Sequence, residues 1–296
     1  MAKAQSGWQS FLIFLQMIKF EHSIFALPFA MTGMVWATLW QREGLFPGWK
    51  TFGLILLAMV SCRSAAMAFN RILDRHIDAK NPRTAMRALP AGLLSLRQSN
   101  LFFFAFLVLF LWSAWALNPL SLLLSPVALL FTLGYSYTKR FTPLCHLVLG
   151  FSLAIAPAAA FIAVTGSLDP RILPLVAGVM LWVAGFDILY SLQDEAFDQQ
   201  EGLRSIPQTL GVSRAISVSR ALHFFVPFLM GASGILFGAG VWYMLGCVLL
   251  AGLLIYEHRL VKPDDLSKID MAFFTVNGII SLVFFGFVLV DGWVRA

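Results

Sequence analysis

Two clusters of carboxylates stand out in a chain that otherwise carries few charges. Each cluster spaces its members by four or seven residues, which places them on one stripe of an α-helix. The members are Asn70, Asp74 and Asp78 in the first cluster, and Asp187, Asp194 and Asp198 in the second. Like charges four residues apart destabilise a helix unless something neutralises them. Carboxylate and amide oxygens suit Mg²⁺, which completes its shell with water and substrate phosphates. The pattern therefore predicts a magnesium and diphosphate site.

Basic side chains near the clusters could neutralise a diphosphate leaving group, which leaves poorly while its charge is uncompensated. Arg63 lies seven residues before Asn70 on the same stripe. Like Asp187, it falls inside or at the edge of an apolar segment, where an ionisable group costs roughly 3 kcal/mol and commonly marks function. The candidates for this role are Arg63, Arg71, Arg75, Lys139 and Arg140. For the last two, service as membrane anchors is an equal alternative. Either carboxylate cluster alone would be typical of a solvated helix end.

The elements that must position these clusters are transmembrane helices. Of the 296 residues, 59% are hydrophobic and only 12% are charged, whereas about a quarter of the residues in soluble domains are charged. A membrane span takes about 20 mostly apolar residues. Nine segments qualify: 23–40, 51–69, 101–117, 119–135, 144–165, 172–192, 215–237, 240–256 and 271–290. We therefore predict an all-α membrane protein with nine transmembrane helices in a single domain, 1–296.

Charged residues are distributed unequally between the two sides of these segments. Sixteen of the 21 Lys and Arg residues lie at the N-terminus or follow every second segment, and four lie on the opposite side. The positive-inside rule then predicts a cytoplasmic N-terminus and an external C-terminus in the plasma (inner) membrane. Twelve of the fifteen Asp and Glu residues follow the basic side. The rule does not explain this acidic bias, but a site for a polyanion and a metal does.

Other features exclude several classes of function. The net charge of +6 would suit nucleic acid, but no soluble basic domain carries it. Cys62, Cys145 and Cys247 lack metal-ligand spacing and are typical of packing residues in a reduced environment. The first twenty residues contain no recognisable cleavable signal. We infer no obligate protein partner, and the lipid bilayer is the expected surrounding.

Three sequence segments carry a family resemblance. The run NRILDRHIDAKNPRTAMRALPAG, which begins at Asn70, resembles the first motif of the UbiA superfamily of intramembrane prenyltransferases. The run DEAFD, from Asp194, matches the second aspartate motif of that family, and YSYTKRFT, from Tyr135, looks like its Tyr…Lys-Arg element. The resemblance extends over essentially the whole chain. It implies a ring of helices around a lipid-open cavity, with a cytoplasmic cap formed by the two motif loops.

The resemblance also implies a reaction and its residues. An allylic polyprenyl diphosphate would ionise with Mg²⁺ assistance, a small aromatic acid would attack the carbocation through its ring, and a proton would leave. By position, the principal ion and diphosphate residues are Asn70, Asp74, Asp194 and Asp198, supported by Asp78, Asp187, Arg63, Lys139 and Arg140. Asp187 would orient the acceptor or accept its proton, with a helix-packing hydrogen bond as the alternative. The candidate acceptor contacts are His22, Tyr135 and His146, with a purely structural role as the alternative for each histidine.

Finer features point to one branch of the family. The runs KFEHSIFALPFA from Lys19, LCHLVLG from Leu144 and FDILYSLQDEAFDQQEGLRSIP from Phe186 are similar to 4-hydroxybenzoate polyprenyltransferases and their menaquinone-pathway relatives. Glu195-Ala-Phe stands where ubiquinone enzymes usually have Arg-Asp-Asp. The acceptor is therefore 4-hydroxybenzoate or a naphthoate-type menaquinone precursor. More distant alternatives are haem farnesyl, chlorophyll or ether-lipid synthases, and a proton-coupled secondary transporter.

Overall fold

The regular secondary structure of the protein is helical. A computed structural model describes residues 7–19 and 27–296, in which the one β-type feature is an isolated bridge between Lys262 and Asp265. Two 3₁₀ turns, Pro170–Ile172 and Leu192–Asp194, precede the helices that begin at Leu173 and Glu195, and a π-helical turn, Met271–Val276, runs into the last helix. The α-helices are α1 (Gly7–Met17), α2 (Leu27–Gln41), α3 (Trp49–Lys80), α4 (Leu96–Leu117), α5 (Pro119–Thr138), α6 (Cys145–Thr165), α7 (Leu173–Ser191), α8 (Glu195–Glu201), α9 (Ile206–Leu210), α10 (Val212–Leu236), α11 (Val241–Leu260) and α12 (Asn277–Arg295).

Eight helical stretches in the described part of the chain are long and apolar enough to cross a membrane, so this is a multi-span membrane protein. They correspond to the predicted segments from 51–69 to 271–290. The first predicted segment, 23–40, lies partly outside the described residues, and its described part is α2, with 15 residues. The predicted all-α membrane fold is confirmed, while the count of nine spans stays a prediction.

The outer faces of the helices are apolar. Along α4 the exposed side chains recur every three or four residues and form one stripe: Leu101, Phe104, Val108, Trp112 and Trp115. In water, such a stripe would be expected to pack against a partner. In a bilayer the hydrocarbon chains of the lipids cover it, so the stripe agrees with the membrane assignment.

Close helix packing holds the bundle together. Helices α2, α6, α7, α10, α11 and α12 pack in that order, and α12 returns to α2. Glycines permit the closest approaches. A Cβ added to Gly33 of α2 would lie 2.0 Å from the carbonyl oxygen of Pro157 in α6, and one added to Gly150 of α6 would lie 2.3 Å from that of Met180 in α7. Membrane helices commonly use small residues in this way because lipid gives them no hydrophobic drive to associate.

The centre of this six-helix ring is filled, and the cavity lies elsewhere. Trp36, Trp182 and Phe284 are all buried in one hydrophobic core that the ring encloses. The large cavity of the protein is lined mainly by α3, α5, α6 and α7 and by the loop between α3 and α4. The resemblance implied helices arranged around a cavity. In the structure, four helices supply most of that lining, because aromatic side chains fill the space inside the six-helix ring.

Candidate active site

One cavity of about 1200 Å³ connects a charged end to an apolar wall. Small-molecule sites usually measure about 300–1,000 Å³, so this cavity has room for a larger ligand. The charged end contains both carboxylate clusters. The wall extends from there to residues beside the far ends of α4 and α6, and among its apolar members are Ile55, Met59, Phe110, Leu117, Leu149, Leu153 and Leu168. A ligand with an anionic head and a long apolar tail fits this division.

Helix α3 presents the first cluster to the cavity, as its spacing predicts. The helix runs without a break over Trp49–Lys80, so residues four positions apart stay on one side. Asn70, Asp74 and Asp78 all line the cavity. The two carboxylates are only 2% and 6% exposed. Charges this deeply buried need partners. The partners of Asp74 and Asp78 therefore show which groups neutralise the first cluster.

Asp74 is neutralised from the end of α5. Lys139, which caps that helix, donates to Oδ2, and Arg140 Nη2 donates to Oδ1 at 2.8 Å. Asn70 Nδ2 also donates to Oδ2, at 3.2 Å. Lys139 lines the cavity, whereas Arg140 reaches Asp74 from outside the lining and also donates to the backbone of Ser136 at 2.8 Å. The two predicted cations thus meet the first cluster directly.

Asp78 is held less completely. Arg87 Nη1 donates to its Oδ1 at 2.8 Å, and Arg71 Nη1 lies 3.9 Å from Oδ2. Within the described part of the chain, Oδ2 of Asp78 and Nε of Arg71 are buried without a hydrogen-bond partner. Both residues line the cavity. Because buried polar atoms are nearly always satisfied by something, this pair fits a site that a ligand completes.

The second cluster reaches the same cavity by a different route from the one predicted. Its spacing predicts one continuous helical stripe, but α7 ends at Ser191 and the chain tightens into the 3₁₀ turn Leu192–Asp194 before α8 begins. A 3₁₀ turn advances fewer residues per turn than an α-helix, so the stripe is interrupted. Asp187, Asp194 and Asp198 nevertheless all line the cavity.

Asp194 connects the two motif loops. Arg83 donates to both of its carboxylate oxygens through Nε and Nη2, and Asn81 Nδ2 donates to Oδ1 at 3.1 Å. Arg83 Nη1 also donates to the hydroxyl of Tyr190 at 3.2 Å. Burial alone would lower the pKa of Arg83, but the bonds to Asp194 raise it above its usual value. Sequence reasoning did not nominate Asn81 or Arg83, although both lie in the first motif run.

The remaining two carboxylates of the second cluster have uncharged or histidine partners. Asp198 Oδ2 accepts a hydrogen bond from Ser205 Oγ at 2.9 Å. Asp187 Oδ2 lies 2.7 Å from His146 Nδ1, and the backbone N–H of Ile206 donates to Nε2 of the same ring at 3.3 Å. His146, a weak acceptor candidate in the sequence, therefore lies at the site and bonds to a predicted catalytic residue.

Four other candidates differ in their placement. Arg63 and Tyr135 line the cavity, and Arg63 also donates to the backbone oxygens of residues 18 and 19 at 3.4 and 3.2 Å. Arg75 donates to the backbone of Ile72 at 2.8 Å and is not part of the described lining. His22 lies outside the described residues.

The donor set fits Mg²⁺ when the ion arrives with a phosphate ligand. Within residues 7–19 and 27–296, no group of three or more His, Cys, Asp or Glu side chains converges as an all-protein metal cage would. Mg²⁺ is commonly held by one or two carboxylates and completes its shell with water and substrate phosphates. The oxygens of Asp74, Asp78, Asp194 and Asp198, all on one cavity, match that requirement. Fold and site together define an intramembrane protein for anionic lipid-like ligands.

Comparisons with known proteins give the family. Residues 26–289 match the model of the UbiA prenyltransferase family, and the chain belongs to that family. The 4-hydroxybenzoate octaprenyltransferase of Saccharophagus degradans is 32% identical over 268 residues, which cover 89% of each chain. The protein is therefore a membrane-embedded prenyltransferase, and the transporter alternative is set aside.

Solved structures agree with this assignment. The apo structure of a UbiA homologue from Aeropyrum pernix K1 superposes with a TM-score of 0.82 and is 35% identical, covering 92% of this chain and 98% of the homologue. A UbiA homologue from Archaeoglobus fulgidus, solved bound to GPP and Mg²⁺, has a TM-score of 0.74 at 21% identity and covers 94% and 99% of the two chains. The latter likeness establishes the shared fold.

Proposed function

We propose that this protein transfers a polyprenyl chain from polyprenyl diphosphate onto the ring of 4-hydroxybenzoate in quinone biosynthesis. The observation that carries the proposal is the single cavity in which a charged end continues into an apolar wall. The diphosphate belongs at the charged end and the prenyl chain along the wall. The name of the Saccharophagus relative supports 4-hydroxybenzoate as the acceptor. A naphthoate-type precursor is the alternative that the acceptor assay below separates.

The charged end is suited to a diphosphate because it offers both kinds of partner. Lys139, Arg71 and Arg63 line the cavity and can meet phosphate oxygens. Asp74 and Asp194 would hold Mg²⁺ with help from Asp78, Asp198 and Asn70, as in the donor set described above. The bound ion supplies neutralisation of the leaving diphosphate. The Archaeoglobus neighbour, with its GPP and Mg²⁺, supports this ligand pair.

The remaining steps fall to side chains deeper in the cavity. Once the allylic C–O bond breaks, its electron pair leaves with the diphosphate, and the carbocation is attacked by the acceptor ring. Asp187 lines the cavity beside the second motif and would orient the acceptor or remove its ring proton. Tyr135 and His146 line the same region and are the other candidate contacts for the acceptor.

The proposed orientation places the charged end at the cytoplasmic side of the inner membrane. Sixteen basic residues against four support it. The N-terminus is then cytoplasmic and the C-terminus external.

The test is turnover by the purified protein in lipid nanodiscs with one polyprenyl diphosphate and a panel of acceptors. We expect product with 4-hydroxybenzoate, less with 1,4-dihydroxy-2-naphthoate, and none with either once EDTA is in excess. Preference for the naphthoate would move the acceptor assignment to the alternative. Full activity in excess EDTA would remove Mg²⁺ from the proposal, and loss of product with every acceptor would reject the function.

A further inference from the structure

We infer that His146 is a positioning residue that holds the Asp187 carboxylate in place to remove the ring proton of the acceptor. The inference rests on the proposed function and deepens it, because it chooses between the two roles given to Asp187 and assigns one to a histidine. It depends on a hydrogen-bonded chain that crosses three elements, from α7 through α6 to α9.

The first step is the protonation state of the imidazole. The backbone N–H of Ile206 can only donate, and it points at Nε2 of His146 at 3.3 Å. Nε2 must therefore be the unprotonated, accepting nitrogen of the ring. The proton of the neutral ring then resides on Nδ1, which donates to Asp187 Oδ2 at 2.7 Å. The backbone of α9 thus fixes the tautomer that binds the carboxylate.

The second step concerns the freedom of each group. His146 is 2% exposed, so its ring has no water to replace either partner. The side chain of Asp187 is 23% exposed and lines the cavity. One carboxylate oxygen is therefore tied to the wall, and the carboxylate as a whole still faces the ligand space. A base must lie within hydrogen-bond reach of the proton it takes, and this anchor fixes where the base stands.

The third step is the choice among carboxylates. Asp74, Asp78 and Asp194 each pair with an arginine or lysine, so cations already occupy oxygens of these three carboxylates. In the described part of the chain, the one salt-bridge-range partner of Asp187 is His146. With the tautomer above, that partner is a neutral donor. Asp198, whose partner is Ser205, belongs to the donor set for the ion. Among the described residues of the two clusters, Asp187 is then the one carboxylate that is engaged neither by a cation nor by the ion.

The resulting step is balanced without a further reactant. The C–H bond at the alkylated ring carbon breaks, its electron pair restores the aromatic ring, and the proton passes to an oxygen of Asp187. The resulting carboxylic acid returns its proton to water after the product has left. His146 exchanges no proton in this scheme and acts only through the position of Asp187.

The same series of hydrogen bonds connects the diphosphate end of the site with the base that faces the acceptor. Ser205, next to Ile206, donates to Asp198 Oδ2 at 2.9 Å. Adjacent residues at the start of α9 therefore hold a carboxylate assigned to the diphosphate and the histidine that anchors the base. A displacement of α9 would disturb both together.

The first experiment uses an isotope effect that a merely structural role would not change. Steady-state turnover is compared between ordinary 4-hydroxybenzoate and the acceptor deuterated on its ring. In the wild type, we expect no isotope effect on kcat, because ionisation of the donor is the slower step. His146→Ala should lower kcat by about 10- to 100-fold, the smaller part of what general-base catalysis contributes. It should also raise the isotope effect above unity and leave the donor KM unchanged.

Two matched variants sharpen this test. In His146→Gln, the amide can donate to Asp187 and accept from Ile206, so we expect partial recovery of kcat and a smaller isotope effect than in His146→Ala. The control is His223→Gln. His223 is also a buried histidine, bonded to the backbone of Trp182 at 3.0 Å, but it does not line the cavity. It should show the wild-type isotope effect whatever its effect on stability.

A second readout does not need turnover. Nitrogen NMR of protein labelled with ¹⁵N-histidine should show His146 with a proton on Nδ1 alone, and His146→Gln identifies its signal. A doubly protonated ring, or wild-type isotope effects in His146→Ala, would overturn the inference, as would wild-type kcat in Asp187→Asn. If the wild type itself transfers no chain to any acceptor, the proposed function has failed, and the inferred role of His146 fails with it.

Discussion

Polar side chains lie on two sides of α7, and the two groups are held in different ways. On the cavity side are the carboxylates of the active site. On the other side is a buried network, which comprises Trp182, His223, Glu257 and Asn277. Trp182 Nε1 donates to Asn277 Oδ1 at 2.8 Å, and Asn277 Nδ2 donates to Glu257 Oε1 at 2.9 Å. None of the four lines the cavity.

The partners explain the difference. In the buried network, they are short or rigid groups on tightly packed helices, and Glu257 and Asn277 are both 0% exposed. In the cavity, the charged groups that hydrogen-bond to Asp74, Asp78 and Asp194 are long cations that are 28–31% exposed, namely Arg83, Arg87, Lys139 and Arg140. A fixed, dry network holds helices together, whereas a half-exposed cation can exchange a carboxylate for a phosphate. Burial of the carboxylate alone therefore does not distinguish a functional group from a structural one, but the exposure of its partner does.

The largest expected effect comes from the cavity side. Asp74→Ala and Asp194→Ala should each reduce turnover by at least about 100-fold, comparable with loss of a main electrostatic contribution to catalysis. Both proteins should still be extractable and folded, because these carboxylates serve a ligand. Turnover and thermal unfolding are measured on the same preparations, with Asp169→Ala, outside the cavity lining, as the control. A variant with turnover near that of the wild type would show that the carboxylate does not hold the metal ion. A variant that fails to fold would show that the carboxylate is needed for the structure instead.

The buried network should respond in the opposite way. Asn277→Ala leaves Trp182 Nε1 and Glu257 Oε1 without their partner, and an unsatisfied buried group costs about 1–3 kcal/mol. We expect a lower Tm and unchanged KM values for both substrates in the protein that remains folded. Asn277→Asp, which keeps the acceptor for Trp182, separates the two lost bonds. A changed KM at normal Tm would show that the network acts on the site.

A smaller effect is expected at the cations of the cavity. Lys139→Gln should raise the donor KM several-fold and leave the acceptor KM much less affected, because the distance from the charge to the phosphate sets its contribution. Arg140→Lys should also lose activity, because a single ammonium group cannot replace the two guanidinium nitrogens that bond to Ser136 and Asp74. Steady-state kinetics with each substrate varied, alongside membrane insertion, decides the matter. If Lys139→Gln inserts correctly and keeps the wild-type donor KM and kcat, Lys139 serves only as a membrane anchor at the end of α5.

The smallest effect is expected outside both regions, at the turn before α7. Hydrogen bonds from Arg171 lower the pKa of Asp169 below its usual value of 3.8. A depressed pKa contributes stability above the unfolded value, and the contribution disappears as the pH falls through the folded value. Since the pair is partly exposed and solvent screens it, we expect Asp169→Asn to lower the stability only slightly at neutral pH. Thermal unfolding should show this difference at pH 7 and none near pH 2.

The first cluster was predictable because its geometry is local. Four-residue spacing on a helix fixes the side that Asn70, Asp74 and Asp78 share, and α3 continues through all of them. The geometry of the second cluster was harder to predict from the sequence. Nothing in the apolar periodicity of 172–192 indicates that the chain tightens at Leu192–Asp194. The prediction that Asp194 and Asp198 share a site with Asp74 came from their common chemistry and common side of the membrane, and from the resemblance, rather than from a local geometry.

Contacts made by the loops could not be predicted from spacing. Arg83 meets Asp194 across 111 positions, and His146 meets Asp187 across 41. The first pair depends on how the loop after α3 folds over the cavity, and the second depends on how α6 packs against α7. The charge count placed Arg83 on the correct side without giving it a partner. Helix α1 was missed for a simpler reason, because its 11 residues are too short to register as a span.

The division of the cavity has a consequence for release of the product. Donor and product share the prenyl chain, so the apolar wall holds both with similar strength. They differ at the charged end, where the donor carries a diphosphate and the product carries an aromatic acid. On the proposed reaction, turnover therefore removes the group that Lys139 and Arg71 grip. The charged end alone then distinguishes the donor from the product. The length of the prenyl chain sets how long either of them remains bound.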